Sequence, residues 1–179
     1  MKLLATITGV ALFVCGVSAQ QAVVTSSCNF TVYVQSFPYD GSTPGTLTAV
    51  PPGGRFAEDF RETGSTVKIS KTRTLSTPLF FGYSFSSSPD YAYCKPKSSY
   101  LPLPRFSALT PASFGTIDEF STEWGNPFAD EHNVLTPGEG CELFDCAAGE
   151  AACYSTPAAK KVYGCPQPVN LEAELCLED

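Results

Sequence analysis

Five cysteines crowd the last forty-odd residues: Cys141, Cys146, Cys153, Cys165 and Cys176, spaced Cys-x4-Cys-x6-Cys-x11-Cys-x10-Cys. Gly and Pro fall between them and apolar periodicity is almost absent, so residues 138–179 are expected to bury no core of their own. Such a segment needs crosslinks and an anchor earlier in the chain. Disulfides are the expected chemistry. No Cys-x2-Cys pair is present and His132 is the only histidine, a poor donor set for zinc. Neither a metal nor a cofactor is expected.

The opening residues place the chain in an oxidising compartment. Lys2, the apolar run Leu3 to Val17 and the small residues Val17-Ser18-Ala19 read as a secretory signal peptide over 1–19. About 15 apolar residues fall short of the roughly 20 that a membrane span needs, and the C-terminal end, Cys176 to Asp179, is too polar for a lipid-anchor signal. The expectation is a secreted, extracellular protein, associated in one version with a cell wall, with a single mature domain over 20–179. About 160 residues suffice for one sizeable core. Lys2 leaves with the signal, so ten basic residues face 18 acidic ones, a net charge of about −8. Nucleic acid and membrane are therefore poor partners, since both reward a basic patch.

Signal removal also takes Cys15 and leaves seven cysteines, adding Cys28 and Cys94 to the C-terminal five. One thiol is left over or pairs between chains, and six cysteines alone allow 15 connectivities.

Upstream of the cysteine cluster the pattern is that of strands. Ala22 to Phe37 reads as a first strand, with Phe30, Val32 and Val34 on one face. Asn29-Phe30-Thr31 within it is an N-glycosylation sequon. Turn chemistry at Pro38 to Gly45 and at Pro51 to Gly54 brackets a short strand, Thr46 to Val50. Arg55 to Phe60 fits either a strand or one helical turn. Thr66 to Lys71 alternates, as do Leu79, Phe81, Tyr83 and Phe85. Residues 86–113 are rich in Ser and Pro and read as a long loop or insertion that carries Tyr91, Tyr93, Cys94 and Tyr100. Phe114 to Phe120 returns to strand, and Glu123 to Pro137 reads as irregular, broken at Gly125-Asn126-Pro127. Many short strands with Gly and Pro turns, and no helix of three turns, define an all-β sandwich.

Ser27-Cys28-Asn29-Phe30-Thr31-Val32-Tyr33-Val34, Pro52-Gly53-Gly54 followed by Arg55 to Arg61, Thr66 to Ser70, Gly125-Asn126-Pro127-Phe128-Ala129 and the cysteine-rich tail occur in that order. In this the chain resembles the fungal thaumatin-like secreted proteins known as the yeast-phase-specific protein family. The resemblance implies a thaumatin-like β-sandwich with a disulfide-rich C-terminal segment packed against it. It implies the pairs Cys28–Cys176, Cys141–Cys165 and Cys146–Cys153, with Cys94 as the free thiol. The acidic cleft of larger thaumatin-like proteins, which meets glucans, maps poorly onto this chain. Its Glu falls at Gly82, one Asp falls at Trp124, and another near Asp118 or Glu119.

The residues leave three functions open. The first is extracellular binding to a cell-wall polysaccharide or to a host surface protein, with Trp124, the only tryptophan, as a ligand-binding residue or as a packing residue. The second is weak β-glucan hydrolysis by a carboxylate pair from Asp118, Glu119 and Glu123, or from Asp130 and Glu131. Neighbours along a strand point to opposite faces, which disfavours adjacent pairs. The third is an effector or inhibitor that binds a host protein. His132 is expected in a surface loop without a catalytic role. A monomer is expected, with a dimer through Cys94 as the alternative.

Overall fold

The computed structural model describes residues 20–86, 115–138, 141–166 and 170–178. Eleven strands among these residues form two sheets. In chain order they are β1 (Gln21–Ser26), β2 (Val32–Pro38), β3 (Thr48–Val50), β4 (Arg55–Asp59), β5 (Ser65–Ser70), β6 (Leu79–Ser86), β7 (Gly115–Ser121), β8 (His132–Thr136), β9 (Phe144–Cys146), β10 (Tyr163–Pro166) and β11 (Leu171–Leu177). The five-stranded sheet runs β4-β1-β11-β8-β9 and the six-stranded sheet runs β10-β7-β6-β5-β2-β3. A single 3₁₀ turn, Ala151–Cys153, is the helical element among the described residues.

Period-two alternation builds the sandwich. On β2, Val32 and Val34 are buried while Tyr33 and Gln35 are half-buried. Val67 and Ile69 of β5, Phe81 and Tyr83 of β6 and Phe120 of β7 extend the same inner face. Ala22 and Val24 of β1, Leu171, Ala173 and Leu175 of β11, Leu135 of β8 and Phe144 of β9 face them, and the two sets join in one apolar cluster. A fully buried side chain of this size contributes about 1.5–3 kcal/mol, so this cluster dominates the stability.

Three expectations are corrected. Ala22 to Phe37 is not one strand. A bend at Cys28–Phe30 separates β1 from β2, which lie in different sheets. Phe30 lies in that bend and packs on Phe128, with ring centroids 6.4 Å apart. Glu123 to Pro137 is not irregular throughout, since it contains β8 with Asn133 and Leu135 buried. The C-terminal segment does carry apolar alternation, and with it joins the shared core. It supplies β9 and β11 to one sheet and β10 to the other, and the Leu171-Ala173-Leu175 alternation makes β11 a central strand. That strand pairs in parallel with β1, Ala22 opposite Leu171, across nearly the whole chain. Arg55 to Phe60, open between strand and turn, forms the edge strand β4.

Disulfides hold this arrangement. Cys28 is bonded to Cys176, Cys141 to Cys165 and Cys146 to Cys153, with Cα–Cα distances of 4.9, 5.6 and 5.4 Å. The first ties the β1–β2 bend to the end of β11. The second ties the approach to β9 to β10 in the other sheet, where Phe144 and Tyr163 also stack across at 4.5 Å. The signal segment 1–19, the Ser- and Pro-rich segment from 87 onward, its tyrosines and Cys94 lie outside the described residues. No helix among the described residues is long and apolar enough to cross a membrane.

Candidate functional site

The outer face of the six-stranded sheet gathers the candidate residues. Inward alternation of Val67, Ile69 and Phe81 turns Lys68, Phe80 and Gly82 outward. Across the strands Gln35 pairs with Lys68, Lys68 with Phe80, Phe80 with Ser121, and Gly82 with Glu119. After β7 the chain turns back on itself. The Gly125 amide donates to the Thr122 carbonyl at 3.0 Å and the Glu123 amide to Ser121 Oγ at 3.3 Å. The turn lays Trp124 over Phe80, with ring centroids 4.4 Å apart at an interplanar angle of 33°. Gly125 is required here. Its φ is +133°, and a Cβ would come within 2.6 Å of Thr77 Cβ and 2.7 Å of the Thr77 carbonyl oxygen.

Trp124 is therefore neither a core residue nor a free one. It remains 46% exposed while shielding Phe80, which is 5% exposed. Lys68 Nζ lies 4.3 Å from the Trp124 ring centroid and 4.4 Å from that of Phe37. Tyr39, also exposed, extends the surface. Its hydroxyl meets Thr66 Oγ1 at 3.3 Å and stands over Gly82, where an added Cβ would be 2.5 Å from it. A larger side chain at position 82 would have to displace Tyr39. Tyr39, Gly82, Ser84, Glu119 and Val162 border a cleft of about 70 Å³. That is far below the roughly 300–1,000 Å³ of an enclosed small-molecule site.

The three acids singled out from the sequence are not brought together. Asp118 lies on the inner face of β7 between Thr116 and Phe120 and is 1% exposed. Neither carboxylate oxygen has a hydrogen-bond partner on another residue among those described. Burial pushes its carboxyl up to about 7, offset in small part by its own backbone N–H. Glu119 faces the opposite way. It accepts from Ser155 Oγ at 2.7 Å and lies 3.7 Å from Lys160 Nζ. Glu123 meets the same ammonium at 2.5 Å. Asp118 and Glu119 thus turn to opposite faces of β7, although both border the cleft beside Tyr39, while Glu119 and Glu123 share a cation. Asp130 is exposed, and Glu131 pairs with Lys71 at 3.6 Å.

His132 is in strand β8 rather than a loop, its Nε2 2.7 Å from Asp145 Oδ1. Asn29 lies exposed in the bend before β2. Among the described residues, no group of three or more His, Cys, Asp or Glu side chains is placed to hold a metal ion. Lys68, Phe37, Phe80 and Tyr39 escaped the sequence reading. The alternation of Lys68 with Val67 and Ile69 put it on the outer face. The chain fold was needed to bring Trp124 over it.

Two face-packed sheets, with a C-terminal segment that enters both and three crosslinks, make this a disulfide-linked all-β sandwich. The chain belongs to the family described as Blastomyces yeast-phase-specific protein, which matches residues 9–95 and 115–177. Among solved structures it is similar to the protein elicitor MoHrip2 from Magnaporthe oryzae, with 51% identity and a TM-score of 0.74 over 89% of this chain and 100% of that one. It also aligns with the thaumatin-like xylanase inhibitor TLXI, at 15% identity and a TM-score of 0.44 over 87% of this chain and 99% of that one. No curated protein sequence matches the chain.

Proposed function

We propose that this is a secreted protein that acts by extracellular binding, and that the outer face of its six-stranded sheet engages cell-wall polysaccharide. The observation that carries this reading is Trp124, held over Phe80 by a glycine-dependent turn yet 46% exposed. A flat indole fixed on a rigid sheet offers its π-face to the C–H face of a sugar ring, and little side-chain entropy remains to be lost on binding. Hydrolysis finds less support. Asp118 and Glu119 diverge, and the carboxylates of Glu119 and Glu123 are bridged by Lys160.

The test is retention of oxidised, signal-free protein on insoluble β-1,3-glucan and chitin, with reducing sugar assayed in the same tubes. Retention without sugar release is expected, and Trp124→Ala should weaken it by roughly tenfold or more. Sugar release that disappears in Glu119→Gln would replace binding with catalysis.

A second reading is favoured by the 51% identity to a protein elicitor. On that reading the same face, or another, binds a host surface protein. Leaf infiltration separates the two. A defence response that survives Trp124→Ala would place the activity away from the sugar-binding surface.

A further inference from the structure

The outer face carries two cations that no carboxylate answers. Arg61 pairs with Glu58, Lys71 with Glu131, and Lys160 with Glu119 and Glu123. Among the described residues, Arg55, Lys68, Arg73 and Lys161 enter no ion pair, and of these Lys68 and Arg73 are held over aromatic rings of this face. Lys68 Nζ sits 4.4 Å from the centroid of Phe37 and 4.3 Å from that of Trp124. Arg73 Cζ lies 5.9 Å from the centroid of Tyr33. The loop that carries Arg73 is braced by hydroxyl contacts of 2.9–3.2 Å among Thr72, Thr74 and Ser76. Tyr33 and Phe37 share the outward face of β2 four residues apart, which places the two ring positions about 13 Å apart along the strand.

A neutral glucan would use the rings and leave both cations idle. An acidic sugar would use both, packing its C–H face on a ring while its carboxylate meets the neighbouring ammonium or guanidinium. The chain as a whole is acidic, at −7. Exposed charges are screened beyond about 8 Å at physiological salt, so the local strip decides which polymer is accepted. We propose that this face recognises an acidic polysaccharide, a polymer of uronic acid residues, with Trp124 stacking on a sugar ring and Lys68 and Arg73 taking carboxylates along the chain. This rests on the wall-polysaccharide reading above and narrows it.

The experiment compares retention of the oxidised protein on immobilised polygalacturonate, on its fully methyl-esterified form and on insoluble β-1,3-glucan, at physiological ionic strength. The expected result is roughly tenfold tighter retention on the free acid than on the ester or the glucan. Lys68→Gln and Arg73→Gln should each weaken the acid-specific part about threefold to tenfold and flatten its salt dependence, with unfolding temperatures close to that of the parent. Equal retention on acid, ester and glucan would overturn the acidic-sugar assignment and leave the wall-binding reading standing. Retention on none of the three would overturn both.

Discussion

Asp118 shows how much the meaning of a residue depends on its facing. An acid whose carboxyl is pushed up to about 7 by burial would ordinarily attract a catalytic interpretation. Here the group points between the sheets with no facing carboxylate, and the shift becomes a statement about stability. Below pH 3.8 the carboxyl is protonated in both folded and unfolded chains. As the pH rises from about 4 to about 7 the unfolded chain ionises first, so the fold loses stability, and above about 7 the loss is complete. At 1.36 kcal/mol per pH unit the effect is at most about 4 kcal/mol. Thermal unfolding at pH 4.5 and 7.5 (about half a unit or more outside that window on the alkaline side) checks this at fixed ionic strength. The parent should melt lower at the higher pH. Asp118→Asn should remove most of that difference and be the more stable of the two at pH 7.5. Parallel pH dependences for parent and variant would refute the assignment.

Among the elements, the junction of β8, β11 and the turn after Gly125 is held by one buried side chain. Asn133 Nδ2 donates to the Phe128 carbonyl at 3.0 Å, to the Glu131 carbonyl at 2.8 Å and toward the Tyr154 hydroxyl at 3.0 Å. Its Oδ1 accepts from the Cys176 amide at 3.3 Å, where Cys176 has φ +56° and the β8–β11 register shifts. Asn133 thus fixes the bulge that lets Cys176 reach Cys28. Each buried polar group left unpaired costs about 1–3 kcal/mol, so Asn133→Ala should destabilise by about 2–4 kcal/mol in urea unfolding. A loss below about 0.5 kcal/mol, the range of an ordinary surface change, would contradict this role. The sheet edges are short. β3, β4, β9 and β10 are three to five residues long, and short edges offer little template for pairing with another chain.

For the whole molecule the governing fact is closure. β1 and β11 pair in parallel, and the Cys28–Cys176 disulfide spans 148 residues. A crosslink of that span removes much unfolded-state entropy, roughly 3–5 kcal/mol on the chain-entropy account. The double variant Cys28→Ser, Cys176→Ser should lose that much in denaturant unfolding while the other two disulfides remain. A negligible change would mean that β11 docks by packing alone. The surface is equally a whole-molecule property, since an acidic chain presents, among its described residues, Lys68 and Arg73 outside any ion pair and over aromatic rings on one sheet face.

Local alternation was legible in the sequence. Val32 and Val34, Val67 and Ile69, and Phe81 and Tyr83 mark strands because a pleated chain turns every second side chain to one side. The cysteine-rich tail was legible as a segment that must be tied to the rest of the chain. Periodicity shows that a strand has two faces without showing which one meets the opposite sheet. Only the sandwich therefore put Asp118 inside and Glu119 outside. The Leu171-Ala173-Leu175 pattern was present in the sequence, yet its place beside β1 depends on pairing residues about 150 positions apart, which no short window contains. The same holds for Trp124. A glycine turn and the outward row of Lys68 and Phe80 decide that it lies on the sheet and half in water, because burial is set by what packs against a residue and not by the residue itself.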